Sequence, residues 1–316
     1  MLNKSSGVSE FVLICFPGLQ NWQHWLAMPI ALLLLATVAS NITLMATVFS
    51  SPVLQQPMYD LICLLAALDL LISFSVSPKT LAILWFDQKI ISPIACFWQM
   101  FMVPFCYGTE ACIFTCLAYD RYIAICDPLH HSYIITRRKT AMAAALLIIG
   151  NTAIFMPFPL MASMLNYCTD NVIQHCFCEN MPVVKLACDS SAGNNIYNLV
   201  IIPLYIVILS LVLFYSYGMI LRVVVRLDAS ATLRKALGTC TSHLILICFL
   251  YSTLIMVAIF NRLQPSVPRY VGVMMSLLHS LVCPALNPMV YGIRTNEIRQ
   301  ELLKLSGRIW KVHFHC

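Results

Sequence analysis

Charge is what this chain most lacks. Asp, Glu, Lys and Arg make up 10% of its 316 residues, against about 25% in a soluble domain. So little charge excludes several classes. Intrinsic disorder demands the opposite composition. The net +6, from 19 Lys and Arg against 13 Asp and Glu, is too dilute for the dense basic surface that nucleic-acid binding requires. A cytosolic enzyme is disfavoured as well. The chain also lacks an internal repeat, which argues against a transporter built from paired units, and it has no His and Asp cluster of the kind a metal-dependent hydrolase needs. The apolar run Phe11 to Phe16 is too short for a secretory h-region, so no cleaved signal peptide is expected.

What it has is length without charge. Apolar residues reach 60%, and a window of about 19 residues finds seven spans: Trp25–Phe49, Met58–Trp85, Phe97–Ile125, Thr140–Met164, Ile196–Leu221, Leu237–Phe260 and Tyr270–Ile293. Each can cross about 30 Å of hydrocarbon as a helix. Seven crossings place the termini on opposite sides. One side collects Arg121, Arg137, Arg138, Lys139, Arg222, Arg226, Arg234, Lys235, Arg294, Arg299, Lys304, Arg308 and Lys311; the other holds Lys4, Lys79, Lys89, Lys185, Arg262 and Arg269. The excess of positive charge marks the cytoplasmic side, so the N-terminus is expected outside. Asn3 opens a glycosylation sequon on that outer tail, whereas the sequon at Asn41 lies inside the first span, where no transferase reaches. Cys96, Cys168, Cys176, Cys178 and Cys188 gather on the same outer side, where disulfides are allowed. After the seventh span, Thr295 to Leu305 starts with a capping residue and alternates charges with Ile298, Leu302, Leu303 and Leu305, which predicts a short amphipathic helix on the inner face.

The fold class expected is therefore an all-α membrane protein, a seven-transmembrane helix bundle with a short amphipathic eighth helix. Residues 1–24 form an outer tail, 25–293 the bundle and 294–316 a cytoplasmic helix and tail. The bilayer is its first partner, and a multi-pass place in the plasma membrane its expected location.

An ionisable side chain at mid-membrane costs at least about 2.5 kcal/mol, so each asks for a partner or a role. Asp69 in the second span and Glu110 in the third have no Lys or Arg at comparable depth. Either they share a bound Na⁺ or at least one carries a proton; the plainer alternative is a neutral, hydrogen-bonded pair. Pro288, inside the seventh span, frees a carbonyl that Asn or water must satisfy. His175, Cys176 and Cys178 can be read as metal ligands, but adjacent residues cannot close a tetrahedral site alone.

These segments together resemble an olfactory receptor of the rhodopsin-like G-protein-coupled class, over essentially the whole chain. Five motifs carry the resemblance in order: Leu54 to Tyr59, Leu117 to Cys126 with Asp120, Arg121 and Tyr122, Ser216 and Tyr217, Lys235 to His243, and Pro284 to Gly292 with Asn287, Pro288 and Tyr291. Phe16 to Leu19 and the long second outer loop look like the fish-like class I subgroup, many of whose members are associated with carboxylic acids and other water-soluble odorants. The chain departs from the pattern at Ser40, Gln55, His130 and His131.

The resemblance implies two disulfides, Cys96 with Cys178 and Cys168 with Cys188, which leaves Cys176 over. It implies no enzyme activity, no cofactor beyond a possible bound Na⁺, a small-molecule odorant as ligand, and an olfactory stimulatory G protein that raises cAMP. Arg121 would be released from Asp120 on activation, with Tyr217, His243 and Tyr291 rearranging beside it. A pocket for a small odorant lies between helices on the outer half. Helical spacing nominates Met100, Val103, Pro104, Tyr107, Gly108 and Ala111 on the third span, with Gly108 leaving room beside Tyr107; Tyr251, Leu254, Ile255, Ala258 and Arg262 on the sixth; and Asn198, Ile202 and Tyr205 on the fifth. Arg262 is the group that can accept a carboxylate bidentately; as a boundary residue it would instead snorkel to the headgroups. Two alternatives stand beside this reading. A non-olfactory rhodopsin-like receptor is set apart mainly by the five motifs. An ion or proton transporter using Asp69, Glu110 and His279 would need polar groups running to both faces, whereas Ile113, Phe114, Leu117 and Ala118 read as a plug.

Overall fold

The computed structural model describes residues 9–18, 22–167, 171–226, 245–249, 252, 255–256 and 268–313. Its long helices are α1 (Gln23–Ser50), α2 (Pro57–Phe86), α3 (Pro93–Cys126), α4 (Arg137–Phe155), α5 (Pro157–Ser163), α6 (Ile202–Arg226), α7 (Arg269–Arg294) and α8 (Asn296–His313). Six spans built from them are long and apolar enough to cross a membrane, α4 with α5 counting as one and α6 together with the turns before it. Of the sixth expected span, Leu237–Phe260, residues 245–249, 252 and 255–256 are helical and the rest lie outside the described residues.

Helix ends follow local chemistry. Ser92 caps α3 by accepting from the Ala95 amide at 3.3 Å, and Thr136 caps α4 from Lys139 at 3.4 Å. The fourth span, expected as one helix over Thr140–Met164, is divided at Met156, because Pro157 and Pro159 cannot donate the backbone bonds that would carry α4 onward.

The surface is inverted relative to a soluble protein. Leu32, Leu35, Phe74, Leu146, Leu211 and Phe214 point outward and are more than half exposed, a girdle that matches acyl chains and that water would drive to aggregate. Asn41, Asp69, Ser77, Thr109 and Glu110 are fully buried. Helix α3 is the most buried of the six spans and packs against α2, α4, α5 and α6. Its close approach to α4 depends on Gly108: a Cβ there would lie 2.3 Å from Phe155 and 2.8 Å from Asn151 Oδ1. Asn151 is in turn held by Tyr205, whose hydroxyl donates to Asn151 Oδ1 at 2.6 Å, with the Gly108 carbonyl 3.1 Å away. The space expected beside Gly108 for a ligand is thus filled by α4. Gly108→Val is expected to destabilise the purified protein by about 1–3 kcal/mol, the cost of overpacking, read as a lower melting temperature; an unchanged transition would show that α4 moves aside freely.

The tail before α1, expected only as a tail, contains a strand. β1 (Phe11–Leu13) lies between β2 (Ile90–Ile91), antiparallel with Phe11 opposite Ile91, and β3 (Val172–Ile173), parallel with Val12 beside Val172. Phe11, Leu13, Cys15 and Phe16 are fully buried, which explains a short apolar run that was too short to be a leader. Phe11 meets Tyr167 edge to face at 5.4 Å. Burial pushes the Tyr167 phenol up to about 12, so its hydroxyl stays protonated and donates to the Ala162 carbonyl at 2.8 Å.

Cys96 is bonded to Cys178, which ties β3's loop to the start of α3. Cys176 is not left over: it is bonded to Cys15, 161 residues away, and so staples the tail to the same loop. With both cysteines oxidised, the metal-ligand reading of His175 to Cys178 falls; His175 Nδ1 instead sits 3.0 Å from the Phe177 carbonyl. Cys188 is disulfide-bonded, while Cys168 and Asn3 lie outside the described residues.

Candidate functional site

Three groups of side chains sit along the bundle axis between the disulfide end and the basic end. The central one is polar. Asn287 on α7 donates to Asp69 Oδ1 on α2 at 2.9 Å. Asn41 on α1 donates to the Thr37 carbonyl and, at 3.0 Å, to the Pro284 carbonyl. The second bond has a local cause. Pro288 has no N–H, so the carbonyl four residues earlier, Pro284, loses its helical donor; an amide from another helix replaces it, as hydrocarbon cannot. The sequence left this to an Asn or to water, and it is Asn41 on α1 that does it, Asn287 being committed to Asp69.

Asp69 and Glu110 are both fully buried and neighbour one another across α2 and α3. Asp69 Oδ2 and both Glu110 oxygens find no donor among the described residues, and neither does the Ser73 hydroxyl, one turn along α2 on the Asp69 face. Among the described residues no three His, Cys, Asp or Glu side chains converge, and the atoms that Asp69, Glu110 and Ser73 offer here are all oxygens. Such a set fits a hard monovalent cation or a shared proton and does not fit a soft metal.

Toward the basic end, Asp120 on α3 is shared. Arg121 Nε stands 3.3 Å from Asp120 Oδ2 without the alignment of a hydrogen bond, and His131 Nε2 lies 3.1 Å from Oδ1. His131 belongs to a helical turn, His131–Ile134, that follows α3. It was noted in the sequence only as a departure, and it proves to be a second partner of Asp120. Tyr291 is buried, with Tyr217 beside it; Tyr122 is half-buried; His243 lies outside the described residues. Arg137 reaches across to α2, holding Asp60 with two bonds of 2.9 Å.

Toward the disulfide end, Met100 and Val103 are buried and Pro104 and Tyr107 half-buried along one face of α3. The Tyr107 ring lies 4.4 Å from that of His279 on α7. Ile202 is half-buried at the start of α6. The polar groups nominated on the fifth span are engaged with protein: Tyr205 with Asn151, and Asn198 with the Asn180 side chain at 2.6 Å and the Asn194 carbonyl at 3.0 Å. Ile255 is 55% exposed and does not join that face. Tyr251, Leu254, Ala258 and Arg262 lie outside the described residues.

A sequence profile of the family described as "Olfactory receptor" matches residues 30–307. The chain is similar to olfactory receptor 56A1 of Homo sapiens, 44% identical over 95% of each chain, and to olfactory receptor 56A5 of Homo sapiens, 43% identical over 97% of this chain and 98% of that one. Olfactory receptor 51E1 of Homo sapiens is 37% identical over 95% and 94%. Among solved structures, squid rhodopsin superposes with a TM-score of 0.73 over 92% of this chain and 87% of its own at 15% identity, which shows the fold. The described helices thus belong to a seven-helix rhodopsin-like bundle with a short eighth helix, and the chain is a multi-pass membrane receptor, not an enzyme, of the olfactory receptor family.

Proposed function

We propose that the chain is an odorant-activated receptor that couples to a stimulatory G protein and raises cAMP. Its disulfide end faces the cell exterior and its basic end the cytoplasm, as the bias of Lys and Arg requires. The observation that carries this reading is the chain of contacts along the axis. A ring pair at Tyr107 and His279 stands above a polar core joining α1, α2, α3 and α7, and that core stands above the shared Asp120 carboxylate. An odorant that binds one arrangement of these helices better than the other shifts the population toward it. Release of Arg121 from Asp120 then opens the cytoplasmic face to the G protein. The transporter reading is disfavoured, because Ile113, Phe114, Leu117 and Ala118 are all buried apolar residues between Glu110 and the basic end.

The ligand we propose is a carboxylic acid received by Arg262, with the α3 face supplying apolar contact. The test is cAMP output of cells expressing the chain with an olfactory stimulatory G protein, against short and medium acids and their matched alcohols and esters. Acids are expected to respond, and Arg262→Ala to reduce potency by at least about tenfold, since a lost charge-assisted bond is worth about 1.5–3 kcal/mol. Equal responses to neutral odorants with no effect of Arg262→Ala would leave an apolar pocket.

We further propose that Asp69 and Glu110, with Asn287 and Ser73, hold Na⁺ or a shared proton in the resting receptor. The melting temperature of the purified receptor is expected to rise when NaCl replaces choline chloride, and Asp69→Asn or Glu110→Gln to remove the rise. No sodium effect would leave the proton.

A further inference from the structure

The basic end contains a cavity whose space none of the three axial groups fills, although Asp120 of the third group borders it. It measures about 490 Å³ and lies between α2, α3, α4, α6 and the turn His131–Ile134, within the size range of small-ligand sites. Its walls are mainly apolar, from Met58, Leu61, Tyr119, Ile134 and Val212. Two charged residues border it, Asp120 and Lys139, and they differ. The Asp120 carboxylate is already answered by Arg121 and His131. Lys139 meets no carboxylate among the described residues: its ammonium gives one bond to the Tyr133 carbonyl at 3.0 Å and stands 5.0 Å over the Tyr133 ring. Two of its three N–H donors remain for an anion.

Depth sets the chemistry of that anion. Lys139 lies in the first turn of α4 beside Arg137 and Arg138, at the level where a membrane helix meets the headgroups. The wall residue Ala143 is six residues beyond Arg137, about 9 Å further into the hydrocarbon. A site with a cationic mouth at headgroup level and an apolar floor below it is complementary to an anionic amphiphile. We propose that this cavity is a binding site for an anionic phospholipid of the adjoining leaflet, with its headgroup phosphate on Lys139 and one acyl chain between α2, α3 and α6. The choice of that leaflet rests on the reading that the basic end is cytoplasmic, where anionic lipids are enriched.

Native mass spectrometry of the purified full-length receptor tests this, with phosphatidylserine and phosphatidylcholine of identical acyl chains added in turn. Phosphatidylserine is expected to remain bound several-fold more. Lys139→Gln is expected to cut that adduct about fivefold, the ~1 kcal/mol that one Lys contributes at an anionic surface. Ala143→Trp, which fills the floor, is expected to remove both lipids. Equal retention of the two lipids, or a phosphatidylserine adduct that neither variant reduces, overturns the site. Complete displacement by soluble glycerophosphoserine overturns the lipid in favour of a free headgroup, and displacement by equimolar oleate overturns it in favour of a fatty acid. If Ala143→Trp loses its melting transition, Lys139→Gln and the two competitions decide. Sidedness is read separately, from an N-terminal epitope on intact cells; an epitope found inside would end the cytoplasmic reading and leave the adduct result standing.

Discussion

Asn41→Leu is expected to lower the stability of the receptor by about 1–3 kcal/mol, the cost of a buried acceptor left without its donor. The stranded group is the Pro284 carbonyl, which Pro288 has already deprived of a helical partner. Water does not reach it, since Asn41 is fully buried and Pro284 lies on the inward side of α7. Leu keeps the branched side-chain skeleton of Asn but is bulkier at a fully buried position, so Asn41→Ala is run beside it to separate the lost bond from overpacking. A thermal unfolding series on purified protein reads the effect, with surface expression in cells as a second measure. Replacing Pro288 by Ala in the same background should recover much of the loss, because it returns a backbone donor to Pro284. An Asn41→Leu receptor that melts with the unsubstituted one would mean that the α1 to α7 bond holds nothing.

That bond also marks how far the sequence could be read. The spans are legible because hydrocarbon permits only runs of apolar residues whose backbone bonds close internally. The first span expected, Trp25–Phe49, is α1 at Gln23–Ser50, and Tyr270–Ile293 is α7 at Arg269–Arg294. Asp69 and Glu110 were legible for the converse reason: a carboxyl in hydrocarbon is costly enough to stand out alone. Their partners were harder to read. Asn41 is neutral and moderately polar, and a sequon drew attention to it for a chemistry it cannot have within a helix. Gly108 reads as space in one helix and becomes contact only when Phe155 of another helix is set against it. Cys15 stands outside the cysteine-rich loop, and only the parallel pairing of β1 with β3 brings it to Cys176. Each of these depends on which helices or strands become neighbours, and periodicity along one segment carries no record of that.

Asp120→Asn is expected to raise ligand-independent signalling several-fold. Asp120 carries the charge to which both Arg121 and His131 are drawn. On the proposed mechanism, removing it frees Arg121 to engage the G protein. If the pair biases the resting arrangement by about 1–2 kcal/mol, its loss enlarges the active population about five- to thirtyfold while that population is small. His131→Phe removes one of the two partners and leaves the carboxylate with Arg121, so a smaller change is expected. Basal cAMP normalised to surface-exposed receptor gives the comparison. Unchanged basal output in both variants would mean that the resting state is held elsewhere.

The most direct test of an odorant-gated receptor is recruitment of an engineered stimulatory G-protein α-subunit to the chain in living cells, followed by resonance energy transfer. The acids, alcohols and esters are applied one at a time, and surface expression is verified in each well. At least one compound is expected to drive saturable recruitment, and Arg121→Ala to abolish it with expression intact. Recruitment by no compound, or recruitment that Arg121→Ala leaves unchanged, would contradict a ligand-gated switch centred on Asp120 and Arg121.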